Sequence, residues 1–167
     1  MFAKCGVGWA VLMIVVAASS VVAQDHVPEL RARFENETNP VRKAKLVPRL
    51  ADAEFAEIQN QVAAGNLADA AAVAEKVRGE AHTAQEALDG MKRDAEKHPE
   101  GYRQLQISVR ESVRRLNDIL RDLAGDDQKP FEEVRDDLEK LDRQLVHQLF
   151  PHGPDNVPPP DKPKAQE

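Results

Sequence analysis

The stretch "LADAAAVAEKVRGEAHTAQEALDGMKRDA", residues 67–95, decides the fold class. Its apolar residues Ala70, Ala74, Val77, Ala81, Ala84, Leu88, Met91 and Ala95 recur at steps of three and four. That repeat lines one face of an α-helix, and no strand-like alternation competes with it. The spacing predicts a helix over 67–97. Alanine at most of its core-facing positions lets a neighbouring helix approach closely while larger Leu, Ile and Phe side chains from elsewhere fill the layers. The same small residues would also suit a groove for a partner's helix.

The pattern continues in both directions. Towards the C-terminus, "AEKHPEGYRQLQISVRESVRRL" (95–116) breaks at His98-Pro99-Glu100-Gly101. A second seam then starts, of Tyr102, Leu105, Val109, Ser112, Leu116, Ile119 and Leu123. Ser112 is a polar slot in that seam, expected to bond back to a carbonyl one turn earlier. After the break at Gly125–Pro130, a third seam runs Phe131, Val134, Leu138, Leu141, Leu145 and Leu149, and Pro151 ends it. Towards the N-terminus, Gly65-Asn66 supplies a helix stop and a fresh start, and Asn39-Pro40 a cap followed by proline at the first helical position. Between them Val41, Ala44, Leu50, Ala51, Phe55, Ile58 and Val62 share a face, with Pro48 expected to kink that helix or split it after Val47. Val27, Leu30 and Phe34 mark a short helix over residues 27–37.

These readings give an all-α chain: an elongated antiparallel, up-and-down four-helix bundle with a short extra N-terminal helix and a disordered proline-rich C-terminal tail. Residues 24–150 form a single helical domain, and 151–167 form the tail. Residues 1–23 read as a signal peptide. Lys4 precedes an apolar run, and Val21-Val22-Ala23 offers small residues for cleavage. The alternative is an uncleaved membrane anchor over residues 5–23, which are free of charge. The expected location is therefore periplasmic or extracellular, with membrane attachment only if the N-terminal segment is kept.

The formal net charge is −6, and loss of Lys4 with the leader would make the remainder more acidic. That balance argues against nucleic acid as a partner, because affinity for it comes from neutralising phosphates. The one cysteine, Cys5, lies in the leader, so the exported portion would have neither a disulfide framework nor thiol chemistry. No Glu-x-x-His pair, Cys-x-x-Cys-His, Gly-x-Ser-x-Gly or glycine-rich phosphate loop occurs. No catalytic residue and no cofactor is predicted. The nearest approach to a metal site is His82 with Glu86, one turn apart on a helix, and a surface hydrogen-bonded pair is the reading preferred for that spacing.

One feature stands outside the seams. Arg103, Ile107, Arg110, Arg114 and Arg121 fall on the face turned away from Tyr102, Leu105 and Val109, which places an isoleucine inside a basic stripe. Acids at Glu132, Glu133, Asp136 and Asp137 on the next helix are expected to neutralise the arginines between 110 and 121. The sharper reading makes Arg103, Ile107, Arg110 and Arg114 a contact patch for a protein partner or a second copy of the chain. Arg42, Lys43, Lys45 and Arg49 form a second basic cluster.

Two resemblances follow. "AAGNLADAAAVAEKV" (63–77) resembles the turn and second helix of a tetratricopeptide repeat, with Gly65, Leu67 and Ala70 at its small and apolar positions. The first helix lacks the repeat's Leu-Gly and aromatic pattern and no second copy follows, so no peptide-binding role is carried over. "NPVRKAKLVPRLADAEF" (39–55) and "KHPEGYRQLQISVRESVRRL" (97–116) together resemble an uncharacterised group of small secreted all-helical bacterial proteins, a likeness that implies no activity. The expected function is a non-enzymatic, exported interaction or structural protein of the bacterial envelope or periplasm. The alternative is a small ligand- or metal-binding helical bundle.

Overall fold

A computed structural model describes residues 27–152. Helices α1 (Val27–Asn36), α2 (Pro40–Ala63), α3 (Leu67–Asp89), α4 (Glu100–Asp122) and α5 (Lys129–Leu149) account for most of them, with a 3-10 turn at Gly125–Gln128 and no strand among the described residues. The chain is all-α. The signal-peptide, anchor and most of the tail readings fall on residues 1–26 and 153–167, outside the described residues. No described helix is long and apolar enough to cross a membrane.

The helix boundaries follow local chemistry. Asn39 is extended, and its Oδ1 accepts from the Arg42 N–H at 3.0 Å, with Pro40 at the first helical position. Asn39→Ala should therefore cost about 1 kcal/mol, read in urea as a lower midpoint with an unchanged slope. At the other end of α2, the Asn66 N–H donates to the Gln61 carbonyl and the Gly65 N–H to the Val62 carbonyl. Gly65 sits at φ +78°, the left-handed position of a Schellman closure.

The structure corrects two boundary expectations. Helix α3 ends at Asp89 rather than reaching residue 97. Lys92 lies at φ 52°, which an α-helix cannot accommodate, and the Asp94 carboxylate accepts from the Glu96 N–H at 3.0 Å, a side-chain turn that competes with helix. Met91 and Ala95 are still partly or wholly buried, so the apolar period outlasts the helix. Helix α2 in turn is not split after Val47 but continues through Pro48 to Ala63. Val47, Leu50 and Ala51 on either side are buried, and this packing offsets the roughly 3 kcal/mol that an internal proline costs.

Gly101 is a close-approach site rather than part of a break. It lies in the first turn of α4, where a Cβ would come within 2.5 Å of Leu88 Cδ2 and 3.4 Å of the Val41 backbone. Helices α2, α3 and α4 converge there, and Asp89 beside it links α3 to α4 and α5. Its Oδ1 accepts from the Tyr102 hydroxyl at 3.2 Å and from the Gln148 amide at 3.3 Å. Burial and the Asp89 charge together push the Tyr102 phenol up to about 12.

Helix α2 packs against both α3 and α4, α4 against α5, and α1 lies on α2. Side-chain pairs between α2 and α4 advance together, Lys45 with Glu100 and Asp52 with Arg115. The same holds for α3 and α5, through His82 with Asp137, Gln85 with Gln144 and Asp89 with Gln148. Each of these pairs of helices therefore runs in one sense. Phe55, Phe131, Leu50, Ile58, Leu105, Leu116, Leu138 and Leu141 form the middle of one continuous core.

Candidate interaction face and a buried carboxylate pair

Along α4 the seam residues turn inward, which leaves the residue between Gln106 and Ser108 outside. Ile107 is 54% exposed, and with Phe150 it is one of two large apolar side chains left open to solvent among the described residues. It stands on one wall of a groove of about 260 Å³ between α2 and α4. Pro48, Ala51, Asp52 and Phe55 of α2 and Ser108, Glu111, Ser112 and Arg115 of α4 complete its lining. The groove exists because the residues facing it are small: Ala51 on α2, Ser108 and Ser112 on α4. The Ser112 hydroxyl donates to the Ser108 carbonyl at 2.9 Å, so it presents little polarity to the groove.

Most of the charge on the basic stripe is paired. Arg114 donates to both oxygens of Glu111, at 3.0 and 2.6 Å, and lies 3.7 Å from Asp118. Arg121 pairs with Asp118 at 2.9 Å, and Arg110 with Asp142 at 3.5 Å. Arg115 bridges Glu111 and Asp52 and lies over the Phe55 ring at 5.4 Å. Hydrogen bonds from Arg114 and then Arg115 hold the Glu111 carboxyl down at about 2. The expected partners Glu132, Glu133, Asp136 and Asp137 do not meet these arginines. The acids that do are mostly one turn away on α4 itself, where i,i+3 and i,i+4 spacing puts them in reach. Arg103 is left without an ion pair among the described residues. The patch is thus an apolar groove with a neutralised rim.

Three of the four residues of the second basic cluster are also engaged. Arg42 pairs with Glu37, Lys45 with Glu100, and Lys43 sits 4.9 Å above the Phe34 ring. His82 and Glu86 do not act together. His82 Nε2 lies 2.6 Å from Asp137 Oδ2 on α5, because its ring leans towards the neighbouring helix while Glu86 points to solvent. No group of three metal-ligating side chains converges among the described residues.

A site the motif search did not find lies where α1 crosses α2 and α3. Glu54 is 0% exposed. Its Oε1 accepts from Arg31 Nη2, while its Oε2 has no hydrogen-bond partner. Arg31 Nε donates to Glu80 Oε1 at 3.2 Å. One guanidinium therefore serves two carboxyl groups. Burial pushes the Glu54 carboxyl above its ordinary range against the pull of Arg31. Glu80 is raised to about 8, first by burial and then by the neighbouring Glu54. The sequence does carry a signal for this site. Glu54 continues the step Val47, Ala51, Ile58, and Glu80 the step Val73, Val77, Ala84, so each acid occupies a seam slot.

The chain matches no known family, no curated protein and no solved structure.

Proposed function

We propose that this is an exported, non-enzymatic interaction protein of the bacterial envelope or periplasm, which binds a protein partner or a second copy of itself through the groove between α2 and α4. In this reading α2–α5 form an up-and-down four-helix bundle with α1 packed across it. The side-by-side pairs α2/α4 and α3/α5 make it two helical hairpins laid flank to flank. Export rests on the leader-like residues 1–23.

The exposure of Ile107 beside an apolar groove carries the proposal. A branched apolar side chain left half in water gains about 25 cal/mol for each Å² that a partner covers. The paired charges around it can stay paired in a complex, as a polar rim does around an apolar centre. This arrangement suits an apolar anchor from a partner's helix better than an anionic ligand. Ile107→Glu should weaken association at least about tenfold, since it puts a charge into the buried centre of a contact. Folding stability should move by less than about 0.5 kcal/mol, because the site is exposed. Sedimentation would read self-association, and capture on the purified protein would read a partner. A variant that keeps every association of the parent protein contradicts the proposal.

A further inference from the structure

The Arg31–Glu54–Glu80 cluster is unusual in its bookkeeping of charge. Two carboxyl groups converge on one guanidinium, and one of them is wholly enclosed. With both ionised the cluster would hold a net negative charge beside the enclosed Glu54, whose Oε2 would have no donor. One proton removes both difficulties: carried by Glu80, it makes the cluster neutral and gives Glu54 an O–H donor. The single guanidinium shared by both carboxyl groups and the raised position of Glu80, from burial first and the neighbouring Glu54 second, agree with this.

We propose that a single proton shared by Glu54 and Glu80 latches α1 onto α2 and α3, so that α1 docks tightly in acid and loosens as the pH rises. Arg31 on α1 bonds both members of the pair. Val27, Leu30 and Phe34 add an apolar hold on α1, and Lys43 lies over the Phe34 ring and donates to the Glu35 carbonyl at 3.5 Å. The other charged groups along this wall are Glu35 on α1, Lys43 on α2 and Lys76 on α3, and Lys76 favours the ionised Glu54. From α4, Arg115 and Glu111 are engaged with Asp52 and with each other instead. Undocking removes Arg31 and admits water, which returns both acids to the ordinary carboxyl range.

The linkage then has a definite direction. Glu80 binds its proton more tightly with α1 docked, so docking is favoured at low pH and weakens as the pH rises from about 5 towards 8. Above about 8 both states have lost the proton and the trend levels off. Within that window the undocking equilibrium rises by up to about tenfold per pH unit.

Amide hydrogen exchange of the purified protein, corrected for the intrinsic rate, tests this across pH 5 to 9. The expected result is α1 protection that falls at least about tenfold between pH 5.5 and 7.5 and then flattens, while α4 and α5 hold theirs. Glu80→Gln, which cannot ionise, should remove the trend, and Glu86→Gln should leave it. A pH-independent α1, or the same trend in Glu80→Gln, overturns the proposal. If Glu80→Gln does not fold, a carboxyl-carbon titration of the unsubstituted protein decides instead. A glutamate titrating near 8 supports the latch, and all glutamates titrating below about 6 contradict it.

Discussion

Phe55→Ala should lower the unfolding free energy by about 3–5 kcal/mol, among the largest losses available to a single substitution in this chain. Phe55 is buried to 1% exposure on α2, its inner side belongs to the core, and its ring supports Arg115 at the edge of the groove. Truncation leaves a cavity that α2 cannot close, because Leu50 and Ile58, one turn or so to either side, are already fully packed. Part of the loss is softened where the new space opens into the groove and water can enter. Urea unfolding would show a reduced midpoint with an unchanged slope. A loss below about 1 kcal/mol would mean that Phe55 is not the hinge between core and groove that its burial indicates.

Arg31→Met should produce a loss that depends on pH. Removing the one cation bonded to it leaves Glu54 buried with only the more distant Lys76 for compensation, and breaking a buried pair this way typically costs about 3–5 kcal/mol. The protein can escape part of that by protonating Glu54 as well. Holding a proton on an ordinary carboxyl costs about 1.4 kcal/mol for each pH unit above its own pKa. The loss should therefore be near 1 kcal/mol at pH 5 and reach about 3–5 kcal/mol at pH 8. Both acids have raised values in the folded state, so their ionisation works against stability as the pH rises, the reverse of an ion-paired surface carboxylate. Parallel thermal unfolding at the two pH values reads the difference. An equal loss at both would contradict the charge count of the cluster.

Much of this architecture is legible in the sequence. The steps of three and four in 67–88, 102–119 and 131–149 place the buried faces of α3, α4 and α5, because a helix that buries one side can repeat no other way. Asn39-Pro40 caps the start of α2 and Gly65-Asn66 closes its end, while the Asn66 side chain turns back to Gln61 and does not cap α3. Ile107 falls outside the α4 seam, and the structure leaves it exposed. The end of α3 is different, since Met91 and Ala95 keep the apolar period. What stops the helix is the backbone of Lys92 and the side-chain turn at Asp94, neither of which a hydrophobic pattern records. Glu54 and Glu80 were missed for a related reason. A glutamate in a helix usually marks the wet face, and only its place in the seam step, together with Arg31 on a separate helix, shows otherwise. The rim of the groove was misassigned because acids on α5 outnumber those on α4. Glu111 and Asp118, at i,i+3 and i,i+4 from Arg114, reach it first.

The most direct test of the central claim is site-specific photo-crosslinking in cells, with the reactive group at position 107 in the α2–α4 groove and, as a control, at Gln85 on the α3–α5 side. The account predicts a discrete crosslinked product from position 107, to a protein partner or to a second copy, and none from position 85. Products of equal yield from both positions, or none from position 107, would contradict it.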